Sequence, residues 1–326
     1  INRALKAGEY KGDEIIAMEK RQWAYKIILN SAYGAMGFSQ FRLYKPEVAD
    51  AITYFARQAL KFAVLKFNEY GHKTLYGDTD SIFVKSMGKS AEQMENQLEI
   101  YNESLKEDLV KKYNTGLQDE YMMMDLKFEY DMEKIYFGDS KKRYYGIIRD
   151  TGKKYIRGMN IIRKDTPEFM KGAMNKIAEF AVREKLSVDH LIALREKLAS
   201  VNYKEIGISK SFTKKFDEYI KTMPQHVKAS VWANEKLNIA INNTDNPYLF
   251  YIKSHCEEDM KSRDRQTAIC LNEEDLKLIE TRKDIFEIDY ETFFKKQVLD
   301  QLKEFNKIES VKNILEEYKE IIKEKV

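Results

Sequence analysis

The segment 74–84, Thr-Leu-Tyr-Gly-Asp-Thr-Asp-Ser-Ile-Phe-Val, constrains this chain more than any other stretch. Apolar and β-branched residues flank a tight Gly77-Asp78-Thr79-Asp80 turn, the pattern of a β-hairpin. In an extended chain, side chains two apart point the same way. The spacing therefore predicts that Asp78 and Asp80 present two carboxylates on one face at the hairpin tip. Two oxygen ligands suit Mg²⁺, which takes one or two carboxylates and leaves its other positions to water and substrate phosphate. Asp-Thr-Asp is also ordinary turn chemistry, with Asp side chains bonding the backbone. Spacing alone leaves both readings open.

The segments around the hairpin narrow the choice. Residues 13–33 read as a helix, with Ile16, Trp23 and Ile27 on one flank and Met18, Tyr25 and Leu29 on the other, a pattern that predicts packing on more than one side. Between the flanks, Lys26, Asn30 and Tyr33 recur at i, i+4 and i+7, so one face carries an ammonium, an amide and a phenol. That stripe is either a solvated face or a face that meets a nucleotide. Gly34 and Gly37 are read as the end of the helix. Residues 47–70 predict a second helix with Ile52, Phe55, Ala59, Phe62, Ala63 and Phe67 in the core. Residues 90–112 predict a third, with Met94, Leu98, Tyr101, Leu105 and Leu109 inward.

Strand patterns return at 128–132, 144–148 and 155–156. Between 141 and 163, Lys141, Lys142, Arg143, Arg149, Lys153, Lys154, Arg157 and Arg163 stand against one acid, Asp150. They are interleaved with Tyr144, Tyr145 and Tyr155, a local composition suited to nucleic acid. A strand edge protected by lysines has the same look. With a net charge of only +3, a nucleic-acid surface has to come from such clustering. After Pro167 the pattern predicts helices at 168–184, 188–199, 226–242, 289–305 and 308–325, with sparse strand signals. A mainly helical second unit is therefore expected from about residue 165.

Two cysteines, Cys256 and Cys270, are too few for a disulfide framework, and no Cys/His cluster has zinc spacing. No apolar run approaches the length of a membrane span, so a membrane partner is not expected. The chain starts at Ile1 rather than Met, which suggests a fragment or a processed product.

Taken in order, these segments resemble the C-terminal part of a family B DNA polymerase. Lys26 to Gly34 fits that family's fingers motif Lys-x-x-x-Asn-Ser-x-Tyr-Gly, and Tyr76-Gly77-Asp78-Thr79-Asp80-Ser81 fits its second acidic palm motif. Lys141-Lys142-Arg143-Tyr144 fits the element that grips primer–template. Weaker echoes follow in Arg157-Gly158 through Arg163-Lys164-Asp165, Pro224-Gln225-His226-Val227 and Ile288-Asp289-Tyr290.

The resemblance implies an α/β fold: an α+β palm with antiparallel sheet, then a mainly helical thumb, in an incomplete right-hand architecture. It divides the chain into the end of the fingers (1–37), palm (38–165) and thumb (166–326). It implies two Mg²⁺ ions, with Asp80 shared between them and Asp78 as a secondary ligand or electrostatic support. Lys26, Asn30, Tyr33 and Gly34 are implied to bind the dNTP and nascent pair. Thr79, Lys141, Lys142, Arg143 and Tyr144 are implied to contact primer–template DNA. A cytoplasmic or nucleoid-associated location is expected, or host cytoplasm for a viral protein.

The family's first acidic palm motif, Asp-x-x-Ser-Leu-Tyr-Pro-Ser, is absent from this sequence, as are exonuclease-like acidic motifs. An upstream part or subunit carrying both is an expected partner, and a processivity factor is a further candidate. Alone, the chain is expected not to polymerise. Three other readings compete: an inactive polymerase-like scaffold, a reverse transcriptase and a helical interaction protein. Intact Asp78 and Asp80 argue against the first. Thr79 between the aspartates argues against the second, since reverse transcriptases place theirs adjacently. The basic pair of strands is left unexplained by the third.

Overall fold

The structure is a computed structural model and describes residues 10–113, 125–163, 165–219, 222–261 and 265–324. Two compact units divide at 129/130, and each is described by itself.

The first unit holds helices α1 (Asp13–Met36) and α2 (Pro46–Glu69), the hairpin β1 (Lys73–Asp78) and β2 (Ser81–Lys85), and helix α3 (Ala91–Tyr113). Pro46 opens α2 at its first turn, where a missing backbone N–H costs nothing. Its core is small: Ala63, Phe67, Met94, Tyr101 and Leu105, with Ile82 and Val84 of the hairpin packed on it. Only the second half of α2 joins this core, though Ala49 in its first turn is also buried. Ile52, expected in the core, is exposed, because the cluster begins at Ala59. The side chain of Leu109 lies outside the described residues.

Helix α1 departs further from expectation. It buries no residue, and Trp23, Ile28 and Leu29 are each more than 60% exposed. Within its own unit it lacks the surfaces on two sides that its apolar flanks called for. It also runs straight through Gly34, which adopts helical geometry, and stops at Gly37.

The second unit starts with an antiparallel sheet of β3 (Met132–Phe137), β4 (Tyr144–Ile148) and β5 (Lys154–Arg157), in that order. The strand expected at 128–132 therefore begins only at Met132. Next come α4 (Glu168–Val182), α5 (Val188–Leu198), the short α6 (Tyr203–Ile206), β6 (Ile208–Ser209), α7 (Gln225–Leu237) and β7 (Tyr248–Ser254). After these lie α8 (Glu257–Lys261), β8 (Ala268–Leu271), α9 (Leu278–Thr281) and β9 (Phe286–Ile288). Helix α10 (Tyr290–Phe294) leads through a π turn at Lys295–Leu299 into α11 (Asp300–Leu302), a 3₁₀ turn, and finally α12 (Glu309–Glu324).

The second half is thus not simply helical. Strands β6 to β9 form a four-stranded antiparallel sheet centred on β7. Strand β7 is buried on both faces from Leu249 to Ile252, so it lacks the alternation that marks a half-exposed strand. One hydrophobic core joins Tyr136, Tyr145 and Ile147 of the first sheet to Met170 and Met174 of α4, Phe250 of β7 and Phe305. Helix α7 ends at Leu237, five residues short of the sequence reading, because Asn238 turns left-handed at φ 53°. Among the described residues no helix is long and apolar enough to cross a membrane.

Candidate active site and nucleic-acid interface

The hairpin in the first unit is fixed at its base and across its face. The backbone N–H of His72 donates to the Phe67 carbonyl at 2.9 Å, and Thr74 donates to the Asn68 side chain from both its N–H and its hydroxyl, at 3.3 Å. Tyr76 meets Phe83 across the strands with ring centres 6.2 Å apart. Asp78 pairs with Ser81, which leaves a two-residue turn, Thr79-Asp80.

Thr79 has φ 56°, and the Asp80 N–H lies 2.6 Å from the Asp78 carbonyl, closing a γ-turn about Thr79. The chain is not extended from 78 to 80, so the alternation rule does not apply across it. What brings both carboxylates to one end of the hairpin is the tight turn itself. A β-branched residue at positive φ is a rare, strained choice. The Thr79 hydroxyl donates to Asp78 Oδ1 at 3.0 Å, and the Ser81 hydroxyl donates to the Asp78 carbonyl at 3.2 Å. Asp80 is exposed and Asp78 half-buried.

Among the described residues no group of three or more His, Cys, Asp or Glu side chains forms a metal cage. Two carboxylates on one hydrogen-bonded turn do fit an ion that draws its remaining oxygens from substrate phosphate and water, which is the habit of Mg²⁺.

Lys26, Asn30, Tyr33 and Gly34 all lie on α1 and are exposed, at spacings that put them along one helical face.

In the second unit, Lys141 to Tyr144 lie on the β3–β4 connection and the start of β4. Lys142 sits at φ 64°. The loop is closed by the Gly138 N–H donating to the Arg143 carbonyl at 2.9 Å. Lys141 and Lys142 are exposed; Arg143 is half-buried and Tyr144 buried. Tyr144 stacks on Tyr155 at 5.8 Å, and the Arg157 guanidinium lies 5.1 Å over the Tyr155 ring. Hydrogen bonding to Tyr155 is the main cause that raises the Arg157 pKa above its ordinary value.

The basic cluster is less uniform than its composition suggests. Arg143 pairs with Glu304 at 3.1 Å, Arg149 with Asp131 at 2.7 Å, Lys154 with Glu179 at 2.8 Å and Arg163 with Asp165 at 3.3 Å. Lys164, in the same motif, lies outside the described residues.

Two residues escaped the sequence reading as contributors to this loop. Gly158, at φ +63°, approaches Lys142 so closely that a Cβ there would sit 2.3 Å from the Lys142 carbonyl oxygen. The Arg157-Gly158 echo marked its position but not its contact. Glu304 accepts from Arg143 Nη1 at 3.1 Å and from Asn160 Nδ2 at 2.6 Å. Burial pushes its carboxyl above the usual range, while the Asn160 and Arg143 contacts pull it back. A pair 161 residues apart leaves no local signal in sequence.

Residues 1–308 match the family described as DNA polymerase family B. DNA polymerase 1 of Saccharolobus solfataricus is 29% identical over 252 residues, covering 74% of this chain and 26% of that protein. A DNA polymerase of Archaeoglobus fulgidus is 31% identical over 239 residues, covering 72% and 27%. DNA polymerase 2 of Aeropyrum pernix is 30% identical over 236 residues, covering 71% and 27%. The chain thus spans about a quarter of the length of these curated relatives. With the family's match running through both units, across the aspartate hairpin and the Lys-Lys-Arg-Tyr loop alike, the chain belongs to the family B DNA polymerases.

Proposed function

We propose that this chain is the C-terminal portion of a DNA-directed DNA polymerase, adding dNMP units to a primer 3′-hydroxyl under template direction. In this reading residues 1–37 end the fingers, 38–165 form palm and 166–326 form thumb. The observation that carries it is the hairpin Lys73–Lys85 with Asp78 and Asp80 at its tip, within a chain that belongs to this family.

Asp80 is assigned as the principal carboxylate toward Mg²⁺ and Asp78 as its support, held through the Thr79 hydroxyl. Two bound Mg²⁺ ions would activate the 3′-hydroxyl and neutralise charge on the departing pyrophosphate. Lys26 offers a point charge to the triphosphate, Asn30 helps orient it, and Tyr33 with Gly34 packs against the nascent pair. Lys141 and Lys142 are assigned to DNA phosphate or groove contacts, which position a duplex without reading its sequence.

Replacing Lys26 by Ala should raise the KM for dNTP about ten-fold, as loss of one charge-assisted phosphate contact implies. Single-nucleotide incorporation across a dNTP series, with the polypeptide that carries the first acidic palm motif supplied, measures it. An unchanged KM removes Lys26 from the site.

Because the first acidic palm motif is not in this sequence, the reading requires a polypeptide that supplies it. The test is primer extension with dNTPs and Mg²⁺, using the chain alone and then mixed with that upstream part. Extension only in the mixture supports the proposal. Extension by the chain alone overturns the assignment of a divided carboxylate set. Duplex binding without extension in either case favours a catalytically inactive, polymerase-like DNA-binding scaffold.

A further inference from the structure

The Lys141–Tyr144 loop is held by one short stretch of chain far away in sequence. The Tyr136 hydroxyl, at the root of the loop, donates to the Glu304 carbonyl at 2.8 Å. Phe305 is fully buried, its ring centre 5.1 Å from that of Tyr136 and 6.1 Å from that of Tyr145. Asn306 donates from Nδ2 to Asp139 Oδ2. Lys307 Nζ donates to the Phe137 and Gly138 carbonyls at 3.2 and 3.1 Å. Four consecutive residues thus contact strand β3, the loop or the start of β4.

Within this clamp the Glu304 side chain is only 10% exposed, whereas that of Arg143 is 39% exposed. A largely buried carboxylate needs its donors, and it has them in Arg143 Nη1, Asn160 Nδ2 and, at 3.4 Å, the Asn160 backbone N–H. Removing one partner of such a set leaves the others unsatisfied. Arg143 therefore has a structural reason to point inward, and the loop's register depends on it.

We infer that Glu304 is a positioning residue that anchors the loop through Arg143, so that Arg143 holds the loop while Lys141 and Lys142 meet DNA. The inference rests on the proposed duplex-gripping role of this loop. In this inference Arg143 serves as the loop's tie to Glu304 rather than as a DNA contact in its own right. It also links DNA grip to the segment that follows the π turn at Lys295–Leu299, since any shift of that segment moves Glu304.

Electrostatics gives a discriminating sign. If Glu304 were merely an acid near a DNA-binding face, Glu304→Gln would remove a repulsive charge and tighten binding. The anchor reading predicts the opposite.

The test is equilibrium binding of a fluorescent primer–template hairpin to the 326-residue chain over a salt series. Glu304→Gln is expected to weaken binding about ten-fold. Arg143→Gln should weaken it equally, and the double variant should be no worse than either single, since both break one interaction. Tighter or unchanged binding by Glu304→Gln, or additive losses in the double variant, would overturn the anchor.

If Glu304→Gln melts below assay temperature, the salt slope of Arg143→Gln carries the test. A loss of affinity with an unchanged slope supports the anchor, since no phosphate contact is removed, whereas a slope reduced by about one makes Arg143 a DNA contact and sinks it.

Lys142→Ala separates this inference from the reading beneath it. It should weaken binding and reduce the salt slope by about one. If the wild-type chain ignores primer–template and Lys142→Ala changes nothing, the duplex-gripping role itself fails. If Lys142→Ala behaves as expected but Glu304→Gln does not weaken binding, only the anchor fails.

Discussion

Asp80→Asn should reduce primer extension by at least about a thousand-fold in a mixture that supplies the first acidic motif, since metal-centred charge stabilisation contributes several kcal/mol. The amide preserves size and hydrogen-bonding ability while removing the negative charge. Asp80 is exposed on the two-residue turn, so the fold should tolerate the change. Primer–template affinity should stay within about three-fold, because a lost contact to a bound ion is not a lost phosphate grip. Asp78→Ala should be milder in rate and worse for stability. The Asp78 carboxylate accepts the Thr79 hydroxyl at 3.0 Å, helping to hold Thr79 at positive φ, and alanine has no oxygen to replace it. Single-turnover incorporation beside duplex titration separates the two effects. Equal losses in rate and in duplex affinity for Asp80→Asn would mean that it grips DNA rather than serving the chemistry.

Gly158→Ala should lower the efficiency of extension about a hundred-fold, because displacing a contact by about 1 Å is enough to do so. A Cβ at Gly158 would sit 2.3 Å from the Lys142 carbonyl oxygen and 3.2 Å from Arg143 Cγ. An ordinary carbon–oxygen approach is about 3.3 Å or more. The Lys142 backbone must therefore move, and Gly158 lies just beyond the β5 pairing that would resist moving instead. The left-handed φ of +63° adds about 1–2 kcal/mol of strain for any L side chain.

Gly152 supplies the control. It has nearly the same φ, +64°, but nothing lies within 4 Å of its Cβ position. Gly152→Ala should then lose stability through backbone strain alone and leave extension close to wild type. A matched loss in both variants would show that strain, not the approach to Lys142, sets the effect.

What the sequence made legible follows from where each signal originates. Strand β4 is legible in the sequence at its observed bounds, 144–148, and α2 and α3 to within a residue. Their apolar spacing and end signals are local. Helix α4 likewise shows in sequence the stripe it buries, including Met170, Met174, Ile177 and Ala181. Strands β7 and β8 are not legible, for the converse reason. β8 is buried at all four positions, so its apolar run carries no period to separate strand from helix. Segment 289–305 reads as one helix because its side chains keep roughly helical spacing, yet the backbone passes through π and 3₁₀ turns. The apolar flanks of α1 promised burial that its unit does not provide.

The candidate site divides the same way. Asp78, Asp80 and the Lys26 face were visible because each lies within one local element. The positive φ of Thr79, the inward turn of Arg143 and the anchor at Glu304 depend on backbone strain and distant pairing, which residue spacing does not encode.

Single-nucleotide incorporation on four primer–templates differing only in the templating base, with the upstream part supplied, decides whether this chain serves template-directed synthesis. The account predicts addition of the complementary nucleotide in each case, dependent on Mg²⁺ and lost in Asp80→Asn. Addition that ignores the templating base, persists when Mg²⁺ is chelated or survives Asp80→Asn would contradict it.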